Sequence, residues 1–383
     1  MKKIWRMAAA VAALVFAVSC SKDNQPLTPE QQKAEFESIA AELMSIGKKA
    51  SSEDVAGISS YFTTTLSTYD DSVIKGKSGG VLTLVDAFFS TLPGSGTSTK
   101  SSDEVNVTTK GVDWNIFSTK ASFYANPQTK SWEYRGTGNE DGINFYFNDD
   151  KNRECHIKFD VKNNLINLLS GNFNAGVEMF LNNDLLAQST VSCLINGLTD
   201  LTAEISTSYG QVKNITTFAS KSGEYGIKES LTYGGRNIAN CLVSASGISF
   251  SEITDVISTF NSVTVNVDVL DRLNVVANVN GSIPDLFLTD WSKDYLTKLQ
   301  EYLDKNVNVK VYYDGGNEAQ AEITLKVQQT GAPLFGSVEV VPYIKFTKDE
   351  QSYELSDFIK VDSLLPNILE SLKDIFGNIN FKI

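Results

Sequence analysis

The chain has 383 residues, with 33 Lys and Arg against 46 Asp and Glu, a formal charge of −13 and a single histidine. Phosphate backbones require clustered Lys and Arg, and no basic stripe interrupts this acidity, which sets nucleic acid aside as a partner. Apolar residues make up 42% and aromatic ones 10%, enough for a core, so wholesale disorder is excluded.

The chain opens MKKIWRMAAAVAALVFAVSCSKDNQPLTPEQ. Lys2, Lys3 and Arg6 form a positive head, and residues 7–18 are apolar. At 1.5 Å per residue a run of that length falls short of a ~30 Å hydrocarbon core, and Ser19 is a small residue before Cys20, so 1–19 reads as a secretory signal. The ending Ala17-Val18-Ser19-Cys20 resembles a bacterial lipobox, with Ala17 where Leu is usual. That resemblance implies cleavage before Cys20 and acylation of its thiol and new amine. Several acyl chains, each contributing ~0.8 kcal/mol per buried CH₂, would hold the protein to a bilayer. Ser21-Lys22-Asp23-Asn24 resembles the short charged signal that follows the cysteine in Bacteroidetes surface lipoproteins. It implies an outer-membrane, surface-facing protein. Without that signal the expected side is the periplasmic one. Residues 20–27 read as a lipidated tether.

Residues 28–93 form a helical segment. Thr28-Pro29-Glu30-Gln31 carries a capping residue, a proline at the first helical position and a glutamine at the third. Phe36, Ile39, Leu43 and Ile46 then recur at helical steps until Gly47. A second helix is expected over 52–69, with Val55, Ile58, Phe62, Leu66 and Tyr69 on one face, and a third over 80–91. Residues 94–104, GSGTSTKSSDE, are small, polar and without period, and read as a linker or long loop. The Gly-Ser-Gly within it lacks the frame of a phosphate loop.

From 105 to 383 the pattern is β. Thr, Val, Ile, Phe and Tyr alternate with polar residues, and turn clusters recur. INFYFNDDKNRECHIKFD (143–160), VEMFLNNDLLAQSTVSCLING (177–197) and VNVKVYYDGGNEAQAEITLKV (307–327) each read as strand, Asx/Gly turn, strand. Helices are expected at 290–304, with Trp291, Tyr295, Leu299 and Leu303 on one face, and at 356–376, interrupted by Pro366. The fold class is therefore α+β: a predominantly antiparallel, curved meander with N-terminal helices and C-terminal helices covering one face. Leader and layout together resemble the large envelope lipoproteins of Bacteroidetes, a resemblance that brings no catalytic motif. A curved antiparallel sheet with helices on its concave side also occurs in lipoprotein-carrier-like folds, which implies an apolar cavity.

The search for chemistry yields little. His156 alternates with Lys158 and Asp160, while Cys155, Ile157 and Phe159 point to the other face, so Cys155 cannot serve as nucleophile to its neighbour. Cys155, Cys193 and Cys241 lie in strand-like runs as buried apolar residues, and an odd number allows at most one disulfide among them. No spacing suggests zinc. Asn148-Asp149-Asp150-Lys151-Asn152 lacks the Gly and Glu of a calcium loop and reads as a solvated turn. No catalytic residue, metal ligand or cofactor site is assigned. Of the aromatics between 114 and 134, Trp114, Tyr124, Trp132 and Tyr134 are candidate ligand contacts if exposed. Asp71-Ser72-Val73 and Asp362-Ser363-Leu364 resemble the short O-glycan acceptor of Bacteroidetes secreted proteins, which implies Ser72 and Ser363 as acceptors. The sequence therefore leads to the expectation of a lipid-anchored, non-catalytic binding or structural protein, with a glycan, lipid or envelope protein as partner. The alternative is a periplasmic carrier for a lipid or other apolar ligand.

Overall fold

The computed structural model describes residues 28–50, 53–74, 120–136, 142–167, 170–197, 200–247, 261–280, 293–330, 337–349 and 351–354. The signal peptide, Cys20 and its tether, the helices expected over 80–91 and 356–376, the 94–104 segment, Trp114 and Ser363 lie outside them.

Two N-terminal helices, α1 (Pro29–Ala50) and α2 (Glu53–Thr68), precede the sheet, and a third, α3 (Lys293–Asn306), interrupts it. The strands are β1 (Ala121–Asn126), β2 (Ser131–Tyr134), β3 (Ile143–Asn148), β4 (Glu154–Asn167), β5 (Ser170–Leu181), β6 (Asp184–Asn196), β7 (Leu201–Tyr209) and β8 (Val212–Lys221). They continue with β9 (Glu224–Tyr233), β10 (Arg236–Ser246), β11 (Ser262–Val269), β12 (Leu273–Asn280), β13 (Val307–Tyr313), β14 (Ala321–Thr330), β15 (Ser337–Phe346) and β16 (Ser352–Glu354). All sixteen belong to one sheet, and from β3 to β16 each strand pairs antiparallel with its successor. Among the described residues the protein is thus β-rich, one large and mostly antiparallel open sheet with three helices.

The turn chemistry explains the meander. Asn182 and Asn183 between β5 and β6 have φ of 49° and 70°, and Gly234 and Gly235 between β9 and β10 have 57° and 79°. Two successive positive φ values make the hairpin turn whose twist matches that of its strands. The parallel pair β1–β3 is the exception. The β2 strand folds back on β1 as a hairpin and takes the outer position, leaving the other edge of β1 to β3. The outer edge of β2 is closed in turn by Asp70, whose N–H donates to the Lys130 carbonyl (2.9 Å) and whose carbonyl accepts from Trp132 N–H (3.1 Å).

The α1 helix begins as its sequence dictates. Thr28 Oγ1 accepts from Gln31 N–H, and Gln31 Oε1 accepts from Thr28 N–H (3.0 Å), a reciprocal capping box. Ile39, Leu43 and Ile46 are buried. Its polar side reaches the sheet's turns: Tyr313 O–H donates to Gln32 Oε1 (2.7 Å), and Arg272 pairs with Glu35 and Glu42. Arg236 also pairs with Glu42. The α2 helix takes over at the other side, where Phe62 packs edge-on against Trp132 and Phe145 and is stacked on Phe147. Helices and sheet share one hydrophobic cluster.

Over β5 to β10 that cluster occupies one end of the strands. Met179, Ala187, Tyr209, Val212, Leu231, Ile238, Val269, Leu273 and Tyr313 are all buried, and all lie within a few residues of the hairpin turns. Farther along β6 to β10 most side chains on that face are only half-buried, with Ile205 44% exposed and Ser220 the buried exception. On β11 to β13 burial continues along the strands through Val265, Val267, Val275, Ala277 and Val309. The expected solvated turn at 148–152 is a turn, but Asp149 within it is buried. Its carboxylate accepts from the N–H groups of Lys151 and Arg153 and from Arg153 Nε (2.7 Å), while Arg153 also reaches Asp54 on α2 (2.8 Å).

Burial pushes the Asp149 carboxyl upward, but the Arg153 bonds and charge outweigh it and hold the group below its ordinary value. Stability from a depressed carboxyl is present above the unfolded value of about 3.9 and is lost as pH falls through the lower folded one. Asp149→Asn is therefore expected to lose about 1.5–3 kcal/mol at pH 7, from bonds to a charged group. Denaturant unfolding at several pH values checks this. The gap from wild type should shrink in acid, and a gap independent of pH contradicts the assignment.

Candidate functional site on the open face of the sheet

Alternation divides every strand between the face carrying α1 and α2 and an opposite face. Over β1 to β10 no described helix lies on that opposite face. Register brings its side chains into rows across the strands. Tyr124 faces Tyr146, Tyr146 faces His156, and His156 faces Phe180. Their rings stand upright and stack in sequence, with centroids 4.6, 4.3 and 5.3 Å apart and planes within 18° of parallel. The Arg135 guanidinium covers the far face of Tyr124, 4.3 Å from its centroid. Leu185, 51% exposed, stands opposite Phe180 at the other end. Each ring thus spends its faces on its neighbours and offers solvent an edge. The ladder strengthens the sheet by cross-strand contact.

The only histidine is a rung of this ladder. His156 Nε2 lies 2.9 Å from Asn144 Oδ1, which places the ring proton on Nε2, and Asn144 is itself buried. Cys155 points to the opposite face, where burial pushes its thiol up to about 11. Cys241 is likewise pushed up to about 11, by burial and then by the Glu229 charge, and Cys193 is raised by burial. All three are free thiols, and only Cys155 is fully buried. Among the described residues no three His, Cys, Asp or Glu side chains converge as metal ligands.

The candidate aromatics separate. Trp132 is 2% exposed, edge-on to Phe62 and Phe145, and so is a core residue that no ligand reaches without opening the core. Tyr134 is at the surface beside Phe123 on the helix-bearing face, and Tyr124 lies in the open-face ladder. The structure therefore does not bring these three rings together on one surface. Ser72 is exposed, its N–H donating to Asp70 Oδ1 (3.0 Å).

Two rows beyond the ladder the open face carries a notch that sequence reasoning missed. Asp160 faces Gly176, and Gly176 faces Thr190. The row nearer the ladder is Lys158, Glu178 and Gln188, and the row beyond is Lys162, Asn174 and Ser192. Gly176 is thus the centre of a grid, with the side chains of Lys158, Asp160, Asn174, Glu178, Gln188, Thr190 and Ser192 around it. Its missing side chain leaves a groove of about 320 Å³, lined by Lys158, Asp160, Asn174, Glu178, Thr190 and Ser192. Lys158 Nζ and Glu178 Oε2 are 3.9 Å apart across its upper rim. A Cβ added at Gly176 would meet Ser189 O and Thr190 Cγ2 at 3.9 Å, ordinary contact, so the backbone does not demand glycine there.

No protein-family model, curated protein or solved structure matches the chain.

If the ladder acts as a coupled unit, Tyr146→Ala and His156→Ala should not be additive. A double-mutant cycle by urea unfolding is expected to give a coupling of about 0.5–1.5 kcal/mol. Additive losses would show that the rings merely lie side by side.

Proposed function

We propose that the protein is a lipid-anchored, non-catalytic binding or structural protein of the bacterial cell envelope. Its leader, which resembles a lipobox, supports acylation at Cys20 and attachment to the outer membrane. The charged Ser21-Lys22-Asp23-Asn24 stretch supports display on the surface. The observation that carries the binding reading is the open face of the sheet. There a groove of about 320 Å³ with donors and acceptors on its rim is mounted on a stiff array of paired strands. That volume is at the lower end of the ~300–1,000 Å³ typical of ligand pockets.

The reading as a carrier of apolar ligands has less support. Beneath α1 and α2, where a carrier would keep its cavity, Ile39, Leu43, Ile58, Phe62 and Phe145 pack into the core. The partners that fit this proposal are the membrane, through the lipid, and a glycan or envelope protein at the open face. Ser72 is accessible for O-glycosylation. The acidic composition argues against nucleic acid.

Protease treatment of intact cells, beside a periplasmic control protein, tests the placement. Cleavage before lysis is the expected result. Protection until the outer membrane is broken would overturn surface display and return the carrier reading to the front.

A further inference from the structure

We propose that the notch at Gly176 is a subsite for a neutral sugar residue of a larger glycan, an inference that rests on the binding reading above. The lining selects by chemistry. A sugar ring has a C–H face and a rim of hydroxyls that both donate and accept. The notch has the complementary arrangement. Its floor is the Gly176 backbone with the Thr190 methyl beside it, and the backbone of Ala175 and Val191 completes it. Lys158, Asn174, Thr190 and Ser192 supply donors around that floor, and Asp160 and Glu178 supply carboxylate acceptors.

Other ligand classes fit less well. A phosphate or sulfate would meet two carboxylates against one ammonium. A bare cation would meet Lys158 on the same rim. An acyl chain would have to strip water from three charged groups without replacing their hydrogen bonds. A vicinal diol instead uses a carboxylate and a donor side by side, and both stand at neighbouring grid positions. The aromatic ladder lies two rows from Gly176, with His156 and Phe180 next to the rim residues Lys158 and Glu178 along their strands. It braces β4 and β5, two of the three strands under the notch, which reduces what binding must spend on ordering them.

The open sheet also fits a glycan rather than a free monosaccharide. No wall of described residues closes the groove from above, and the rows continue across β6 to β10 as a mixed surface. Thr202, Glu204 and Ser206 on β7 and Lys213 and Thr217 on β8 face the same side as Ile215 and the exposed Leu194 and Leu242. A chain lying across the strands could follow those rows beyond the notch.

The test uses the full-length lipoprotein in detergent micelles. Affinity electrophoresis is run through gels containing a neutral glucan, mannan, xylan or galactan, with a polyanionic polysaccharide and a protein hydrolysate as comparisons. Gly176→Leu fills the notch at a position with ordinary contacts and no positive φ. Gly226→Leu, on the same face of β9 with open space around it, serves as the matched control. At least one neutral polysaccharide should retard the wild type and Gly226→Leu, with the apparent Kd of Gly176→Leu raised at least ten-fold. Retardation by none of the neutral polysaccharides overturns the inference, as does binding that Gly176→Leu leaves unchanged or binding of the polyanion or peptides alone. A parallel measurement on isolated cell envelopes separates the two levels of the argument. Saturable binding there, equal in wild type and Gly176→Leu, rejects the notch but keeps the binding protein. The absence of saturable binding there in both rejects both.

Discussion

Among the described residues, α1 and α2 cover only part of one face of the sixteen-stranded sheet, and where they lie organises the packing. The α1 and α2 helices spend their apolar stripes on one face and at one end of the strands. There Phe62, Ile39 and Leu43 meet side chains that flank the hairpin turns. Placing the cover at the turns has a physical advantage. Each buried residue there closes a short loop, so the entropy of ordering the hairpin is offset where its two strands are already joined. Arg236, Arg272 and Tyr313 then tie the turns to α1, and Arg153 ties another to α2.

The opposite face is built by a different rule. Where no described helix lies over a strand, the described contacts of its side chains are with their neighbours in register. The Tyr124–Tyr146–His156–Phe180 ladder is the aromatic version of this. Asn266 with Asn274 and Thr264 with Asn278 are hydrogen-bonded versions on β11 and β12. A face built in this way is polar, stiff and accessible together, and a single glycine in the grid becomes a recess with ready-made walls. The proposed binding function depends on that combination and on nothing catalytic.

Much of the architecture was legible. The capping box, the helical faces of α1 and α2 and the Asn- and Gly-marked hairpins follow from local rules, although α1 continues through Gly47, its expected stop, to Ala50. The face assignments around His156 also followed from alternation alone. What failed was what alternation cannot decide. Trp132 and Tyr124 are both aromatic residues in neighbouring strands, and which one lies under α2 is set by a helix some 70 residues earlier. The parallel β1–β3 pair was invisible because pairing order is not a local property. Asp149 reads as a solvated turn residue until Arg153 is seen to hold it. The notch was missed for the same reason. Gly176 in NFNAGVEMF looks like an ordinary weak point in a strand, and only the register that sets it between Asp160 and Thr190 turns it into a site.

Among the described residues, helical cover over β5 to β10 is one-sided and concentrated at the turns, and amide hydrogen exchange read along individual strands tests this most directly. The account predicts a gradient within single strands. In β6 to β10, amides next to the buried turn ends should be protected longest, and those toward Cys193, Ala203 and Val243 should exchange orders of magnitude sooner by local opening. Uniform protection along these strands, or protection greatest at the far ends, would contradict it.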